Sequence, residues 1–183
     1  AIARARDGSF TPLHSLRQAD ATDIKAFAPL NVQNMLLAEE TPPDICDLVR
    51  KVDADWAIRL LESLPKDTLP RLWSEQPKAI IDILVWFSNH IVVTERNIVD
   101  RVKRLPIYPT DASLHLFYEL VIPGSFVDPF GLASVIDSRV SEACRDFLLK
   151  TLQGKELTFK TYVTALLPKL FAHGKQPDRE KCT

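Results

Sequence analysis

Apolar residues cluster most densely in the stretch 79–93, AIIDILVWFSNHIVV, where only Asp82, Ser88, Asn89 and His90 interrupt the run. A surface helix carries one apolar stripe, and a helix apolar on most sides is buried. The run is too long for a typical strand, and too short and too polar at its centre to cross a bilayer. The pattern therefore predicts a buried central helix over 79–93. Ser74 is its expected cap and Pro77 its first-turn residue.

The rest of the chain reads as short strands and helices. Asp7-Gly8 is a tight-turn dipeptide flanked by alternating runs, which predicts a hairpin within 1–16, with Arg4 and Arg6 on one face. Asp20 or Thr22 caps a short helix through Phe27, ended by Pro29, while 32–37 reads equally as a strand or a helix start. A helix is expected over 44–52, with Ile45, Leu48, Val49 and Val52 on one face. Asp53 or Asp55 caps the next, which carries Trp56, Ile58, Leu60, Leu61 and Leu64 to Pro65, and 67–73 is a further short helix. Thr94 is the expected cap of a helix with Ile98, Val99 and Val102 inward.

In 103–110, KRLPIYPT, two prolines favour extended backbone. Residues 114–122 alternate only roughly, and Pro123-Gly124 marks a turn. Helices are then expected over 129–136, 141–152 and 158–172, with Gly154 stopping the second and Pro168 kinking the third.

Two stretches align. Residues 7–16 match 111–120 through Asp-x-Ser, an apolar residue, two more, an apolar residue, two more, then Leu. Asp47-Leu48-Val49 then aligns with Asp146-Phe147-Leu148, and Leu69–Trp73 with Leu167–Phe171. The fold class expected is mainly helical α+β, with short hairpins packed on helices and two diverged repeats around the central helix. The expected organisation is a first unit over 1–75, central and bridging helices over 76–104, a second unit over 105–173 and a polar tail over 174–183.

Composition adds limits. A chain of 183 residues, 46% hydrophobic and 26% charged, has the makeup of a globular domain that can bury a core. Net charge is −1, so the basic footprint of a nucleic-acid binder is absent. Cys46, Cys144 and Cys182 are odd in number and far apart, which argues against a disulfide framework and for a reducing, cytoplasmic setting. The opening residues, AIARAR, read as mid-strand and predict a segment of a longer polypeptide.

Candidate chemistry is sparse. His14, His90, His115 and His173 show no metal-ligand spacing, so no metal site is expected. Scattered glycines form no phosphate-cradling loop, so no cofactor is expected either. Asp53 and Asp55 read as caps before they read as paired carboxylates. Cys144 is a candidate nucleophile, with His115 as its nearest plausible partner, but it patterns as core. No histidine is expected within reach of both a nucleophile and an orienting carboxylate, and no enzyme is expected. Arg101, Lys103 and Arg104 form a basic cluster that suits an acidic partner surface or an anion, or else simply complements a helix C-terminus. Trp56, Trp73 and Trp86 pattern mainly as core, with Trp73, beside a break, the candidate exposed anchor for a protein contact.

Leu105-Pro106-Ile107-Tyr108-Pro109-Thr110 with Asp111, then Val127-Asp128-Pro129-Phe130, form one group of residues shared with a known family. Phe147-Leu148-Leu149-Lys150, Lys155–Phe159 and Leu167-Pro168 complete it, and Asp7–Leu13 echoes it. On these residues the chain resembles the repeat region of sacsin and sacsin-like giant proteins. In that family such segments follow an Hsp90-like ATP-binding module and are linked to chaperone-like work on protein partners. The Asn-bearing helix and Gly-rich lid of that module are not visible in this sequence. The resemblance implies a non-catalytic module of a larger chaperone-like protein. A stand-alone helical adaptor is the alternative, and a hydrolase with a dispersed site is a third reading.

Overall fold

The computed structural model describes residues 1–168, a mainly helical α+β chain with two small two-stranded antiparallel sheets. It divides into two compact units, Ala1–His90 and Ile91–Thr183. The sequence placed the divisions elsewhere. The central helix belongs wholly to the first unit and the bridging helix wholly to the second. Leu170, Phe171, His173, Cys182 and the tail 174–183 lie outside the described residues.

The first unit opens on a hairpin. Strand β1 (Ile2–Arg4) pairs with β2 (Phe10–Pro12) in the register Ile2↔Pro12, Ala3↔Thr11 and Arg4↔Phe10. Gly8 takes φ +88° in the turn, a conformation that glycine adopts without steric cost. The Ser9 hydroxyl and amide both donate to Asp7, which holds the Asp7 carboxyl below its usual range. Ala3 and Ala5 point into a cluster with Leu16, Leu37 and Val49. A 3-10 turn, Leu13–Ser15, follows. The chain then passes between two neighbours. Arg17 N–H donates to Met35 O and Leu37 N–H to Arg17 O, while Gln18 N–H donates to Arg50 O and Val52 N–H to Gln18 O.

Those bonds explain two departures from the sequence reading. Helix α2 covers only Pro43–Cys46, because the backbone of 50–52 is spent on Gln18; Leu48 is left exposed. Residues 32–37 are both things foreseen, a 3-10 turn over Val32–Met35 and then an extended bridge.

Helix α1 (Ala21–Phe27) starts with a reciprocal cap. Asp20 accepts from the Thr22 and Asp23 amides, and Asp23 reaches back to the Asp20 amide. The Thr22 hydroxyl, with these amides, lowers the Asp20 pKa. Asp53, one of the two expected caps, starts α3 (Ala54–Ser63) by accepting from Trp56 N–H at 2.8 Å. Helices α4 (Thr68–Glu75) and α5 (Pro77–His90) complete the unit. Ser74 lies inside α4 and so is not the cap of α5.

Helix α5 buries Ala79, Ile80, Ile83, Leu84, Trp86 and Phe87, with Pro77 at its first position. It packs against α1 and α4. It is shorter than the apolar run. His90 Nδ1 lies 2.8 Å from Trp86 O at its end, and Val92 and Val93 beyond it are exposed. Trp86 sits at the junction with α1, where its Nε1–H donates to the buried Asp23 at 2.7 Å and its ring meets Phe27 edge-on at 4.9 Å.

The second unit repeats the first hairpin's plan. Helix α6 (Arg96–Lys103) buries Val99 and Val102. Glu95 takes the cap position in place of the expected Thr94, and its carboxylate accepts from Val92 N–H. Strand β3 (Tyr108–Pro109) pairs with β4 (Leu114–His115), and a 3-10 turn, Phe117–Glu119, follows. Val121 N–H donates to Ser134 O and Ile136 N–H to Val121 O; Ile122 N–H donates to Lys155 O and Leu157 N–H to Ile122 O.

These are the same four bonds, in the same order, as those around Arg17 and Gln18. The alignment of 7–16 with 111–120 puts Arg17 opposite Val121 and Gln18 opposite Ile122. In both units a turn leads to a strand, a 3-10 turn and a two-residue strip gripped on both sides. In both, a capped helix start follows the outer neighbour, at Asp53 and at Thr158. The scaffold is built twice.

The copies differ between the strip and its neighbours. Where the first unit has α1, the second has a loop over 123–133 rather than the expected helix over 129–136. Asp128 takes the helix's place by accepting from Phe130 N–H at 3.0 Å and Ala133 N–H at 2.6 Å. Loop residues Phe126, Phe130 and Leu132 pack on Leu157, Tyr162 and Leu166. Helix α7 (Ser138–Asp146) begins three residues before its expected start. Asp137 caps it by accepting from Arg139 N–H, and the Arg139 guanidinium also binds that carboxylate, lowering its pKa. Helix α7 then widens into a π turn, Phe147–Thr151, and α8 (Phe159–Thr161) continues into another, Tyr162–Leu166.

Candidate functional site

The expected basic cluster falls on α6, and only part of it faces an open cleft. Residues three, four and seven apart share one face of a helix. On α6 that face carries Arg96, Val99, Asp100 and Lys103. With Thr151 and Gln153, from the end of the first π turn, it lines a cleft of about 630 Å³, with Val93 and Thr94 also in its wall. Val99 is buried and the charged heads reach solvent more freely. Among the described residues Arg96, Asp100 and Lys103 make no ion pair. Close by, Lys150 pairs with Asp146, and Arg145 with Glu156.

Gln153 holds φ +54°, a left-handed conformation unusual for a residue with a Cβ. It has to turn sharply there because its neighbour is packed tight. Gly154 N–H donates to Leu148 O at 2.8 Å, and a Cβ on Gly154 would meet Ile122 Cδ1 at 2.5 Å and Phe117 Cζ at 2.7 Å. The cleft's second wall is therefore fixed by the repeat scaffold itself.

Of the residues proposed from sequence, Lys103 lines the cleft. Arg101 is half-buried on α6, and Arg104 is exposed at its C-terminal cap. Trp73 is a correction. It is 7% exposed, because Leu69, Leu72 and Trp73 form the inward face of α4, so it is no exposed anchor. Arg96, Thr151 and Gln153 went unremarked in the sequence. The seven-residue spacing of Arg96 and Lys103 was the available signal for one of them.

A second polar cluster lies on the β3–β4 hairpin. Ser113 Oγ is 2.8 Å from His115 Nε2, Thr110 Oγ1 is 3.3 Å from the same nitrogen, and Glu119 Oε2 is 3.6 Å from His115 Nδ1. His115 is thus within hydrogen-bond reach of the Ser113 hydroxyl and outside it for the Glu119 carboxylate. The local pattern Ser-x-His-x-x-x-Glu carried the signal. The approach to Glu119 is longer than a hydrogen bond, and Glu119 Oε2 already accepts from Leu116 N–H. The cluster acts as a clasp that closes the hairpin onto its 3-10 turn. Cys144, the other candidate, is buried and donates to Val140 O; burial pushes its pKa up to about 12, so it stays a thiol.

Among the described residues no three His, Cys, Asp or Glu side chains are grouped to hold a metal ion. None of the described helices is long and apolar enough to cross a membrane. Cys46 and Cys144 are both free thiols. Comparison with known protein families, curated proteins and solved structures finds no match.

Proposed function

We propose that the chain is a non-catalytic protein-contact module of a larger, sacsin-type chaperone-like protein, working in a reducing cytoplasm. The observation that carries this reading is the scaffold built twice. Tandem units that keep one backbone frame and vary the loops and helices around it present surfaces to partners. The residues behind the resemblance to sacsin-like proteins fall largely in the second unit, on β3, on the 123–133 loop and on the first π turn. The open cleft with its unpaired charges supplies a contact surface in that same unit.

A photo-crosslinking residue in place of Thr94, on the wall of the cleft, tests the reading in the full-length parent protein. Specific protein adducts are expected from position 94 and not from an exposed control at Lys66. Saturable ATP binding with hydrolysis by this chain would overturn it.

One observation favours the hydrolase reading, the 2.8 Å approach of Ser113 to His115. Nucleophilic catalysis needs the imidazole oriented by a hydrogen-bonded partner, and Glu119 stands outside that range. A fluorophosphonate probe is therefore expected to leave Ser113 unlabelled. Labelling that Ser113→Ala or His115→Ala removes would support the hydrolase instead.

A further inference from the structure

Two features of α6 at the cleft do little for the helix. Arg96 is the first residue of α6, where the positive end of the helix disfavours a cation. Arg96 and Asp100 stand in the weaker of the two i,i+4 orders and do not pair. Local rules set aside together at one place mark a functional site more often than an accident of folding. Both residues border the cleft, whose other wall, with Gln153, is held in place by the packing of Gly154.

We infer that this cleft binds an acidic, extended segment of a protein partner, with carboxylates on residues i and i+3. The inference rests on the contact-module reading. Seven residues of helix separate the Cα atoms of Arg96 and Lys103 by about 10 Å along the axis. A polyproline II segment rises about 3.1 Å per residue with three residues per turn, so its residues i and i+3 share one face about 9 Å apart. Two carboxylates at that spacing reach both cations. Asp100, between them, accepts from the segment's backbone N–H groups, and the Gln153 amide both donates and accepts. A second copy of α6 fits poorly. Antiparallel pairing puts Asp100 opposite its own symmetry mate and like cations opposite each other.

The test titrates the full chain with the peptide acetyl-Ala-Pro-Glu-Ala-Pro-Glu-Ala-Pro-amide, read by calorimetry. Saturable one-to-one binding is expected, weakening as salt is raised. The double variant Arg96→Glu, Lys103→Glu should lose about tenfold or more in affinity. Arg96→Glu alone should bind less tightly while its thermal midpoint stays level or rises, a combination that a purely structural role for Arg96 does not give. A peptide with both glutamates replaced by lysine should not bind.

No saturable binding overturns the inference, as does binding that the double variant leaves unchanged. Equal competition by inorganic phosphate would make this a free-anion site and also overturn it. If position 94 captures partners but the acidic peptide fails to bind, the inference falls and the contact reading stands. If the peptide binds but position 94 captures nothing, the contact reading falls and the protein partner falls with it, leaving a cleft with affinity for acidic peptide.

Discussion

Trp86→Ala is expected to destabilise the first unit by about 4–6 kcal/mol. Trp86 is 3% exposed on the buried face of α5. Truncating a ring of this size leaves a cavity that costs about 3–5 kcal/mol. The same change strips Asp23, itself 6% exposed, of the indole N–H that donates to it at 2.7 Å. A buried carboxylate that loses a donor adds about 1–3 kcal/mol, less here because the Asp20 amide still donates to it. Phe27 also loses its edge contact with the ring, and Phe27 in turn meets Trp56 at 5.6 Å. The loss therefore spreads across α1, α3 and α5. Trp86→Phe keeps most of the volume and removes the donor with a small part of the ring, so it should cost less, about 1–3 kcal/mol. Urea denaturation of both variants separates the two contributions. A Trp86→Ala midpoint equal to that of the unaltered protein would contradict the packing described for α5.

Gly124→Ala is expected to cost the second unit about 3 kcal/mol or more. A Cβ at this position would lie 2.3 Å from Leu157 O and 3.0 Å from Leu157 C. Those are backbone atoms, so no side chain can rotate out of the way. Leu157 is also where the strip is gripped, since its N–H donates to Ile122 O at 2.8 Å. The added methyl must push one strand of the grip off the other. The aligned position in the first unit is Asp20, which carries a side chain without conflict because the chain there leaves the strip to start α1. Ala21→Gly serves as the comparison in that unit. It should cost only the helix-propensity difference, about 1 kcal/mol or less at a first-turn position. Thermal melting reads both, and equal losses would argue that Gly124 is not a point of close backbone approach.

Some elements were legible in the sequence and others were not, for physical reasons. The heart of α5 was plain because six inward residues fall close together in an apolar run that Asp82 alone interrupts. The first hairpin was legible through Asp7-Gly8; the second was legible as extended backbone at the prolines 106 and 109 and as the counterpart of 7–16 in the repeat. Asp53 was legible as a cap because an acidic residue ahead of an amphipathic run has few other roles. The strips at 17–18 and 121–122 were hidden, since two residues have no periodicity to read. Their consequence, the early end of α2, was hidden with them. The π turn at Phe147–Thr151 and the left-handed Gln153 follow from the packing of Gly154, which only the fold supplies. Trp73 was misplaced because its nearness to a helix break suggested exposure, while its spacing from Leu69 and Leu72 pointed inward. The repeat showed in the alignment of 7–16 with 111–120, although its strongest expression lies in backbone bonds that side chains do not encode.

The doubled scaffold is the claim on which the functional reading stands, and amide hydrogen exchange measured residue by residue tests it most directly. Slow exchange is expected at Arg17, Gln18, Leu37 and Val52, and equally at Val121, Ile122, Ile136 and Leu157, because each of these amides donates within a strip. The exposed hairpin-turn amides of Asp7 and Ala112 should exchange quickly in both units. Protection at one set of four with loop-like exchange at the other would contradict a scaffold built twice.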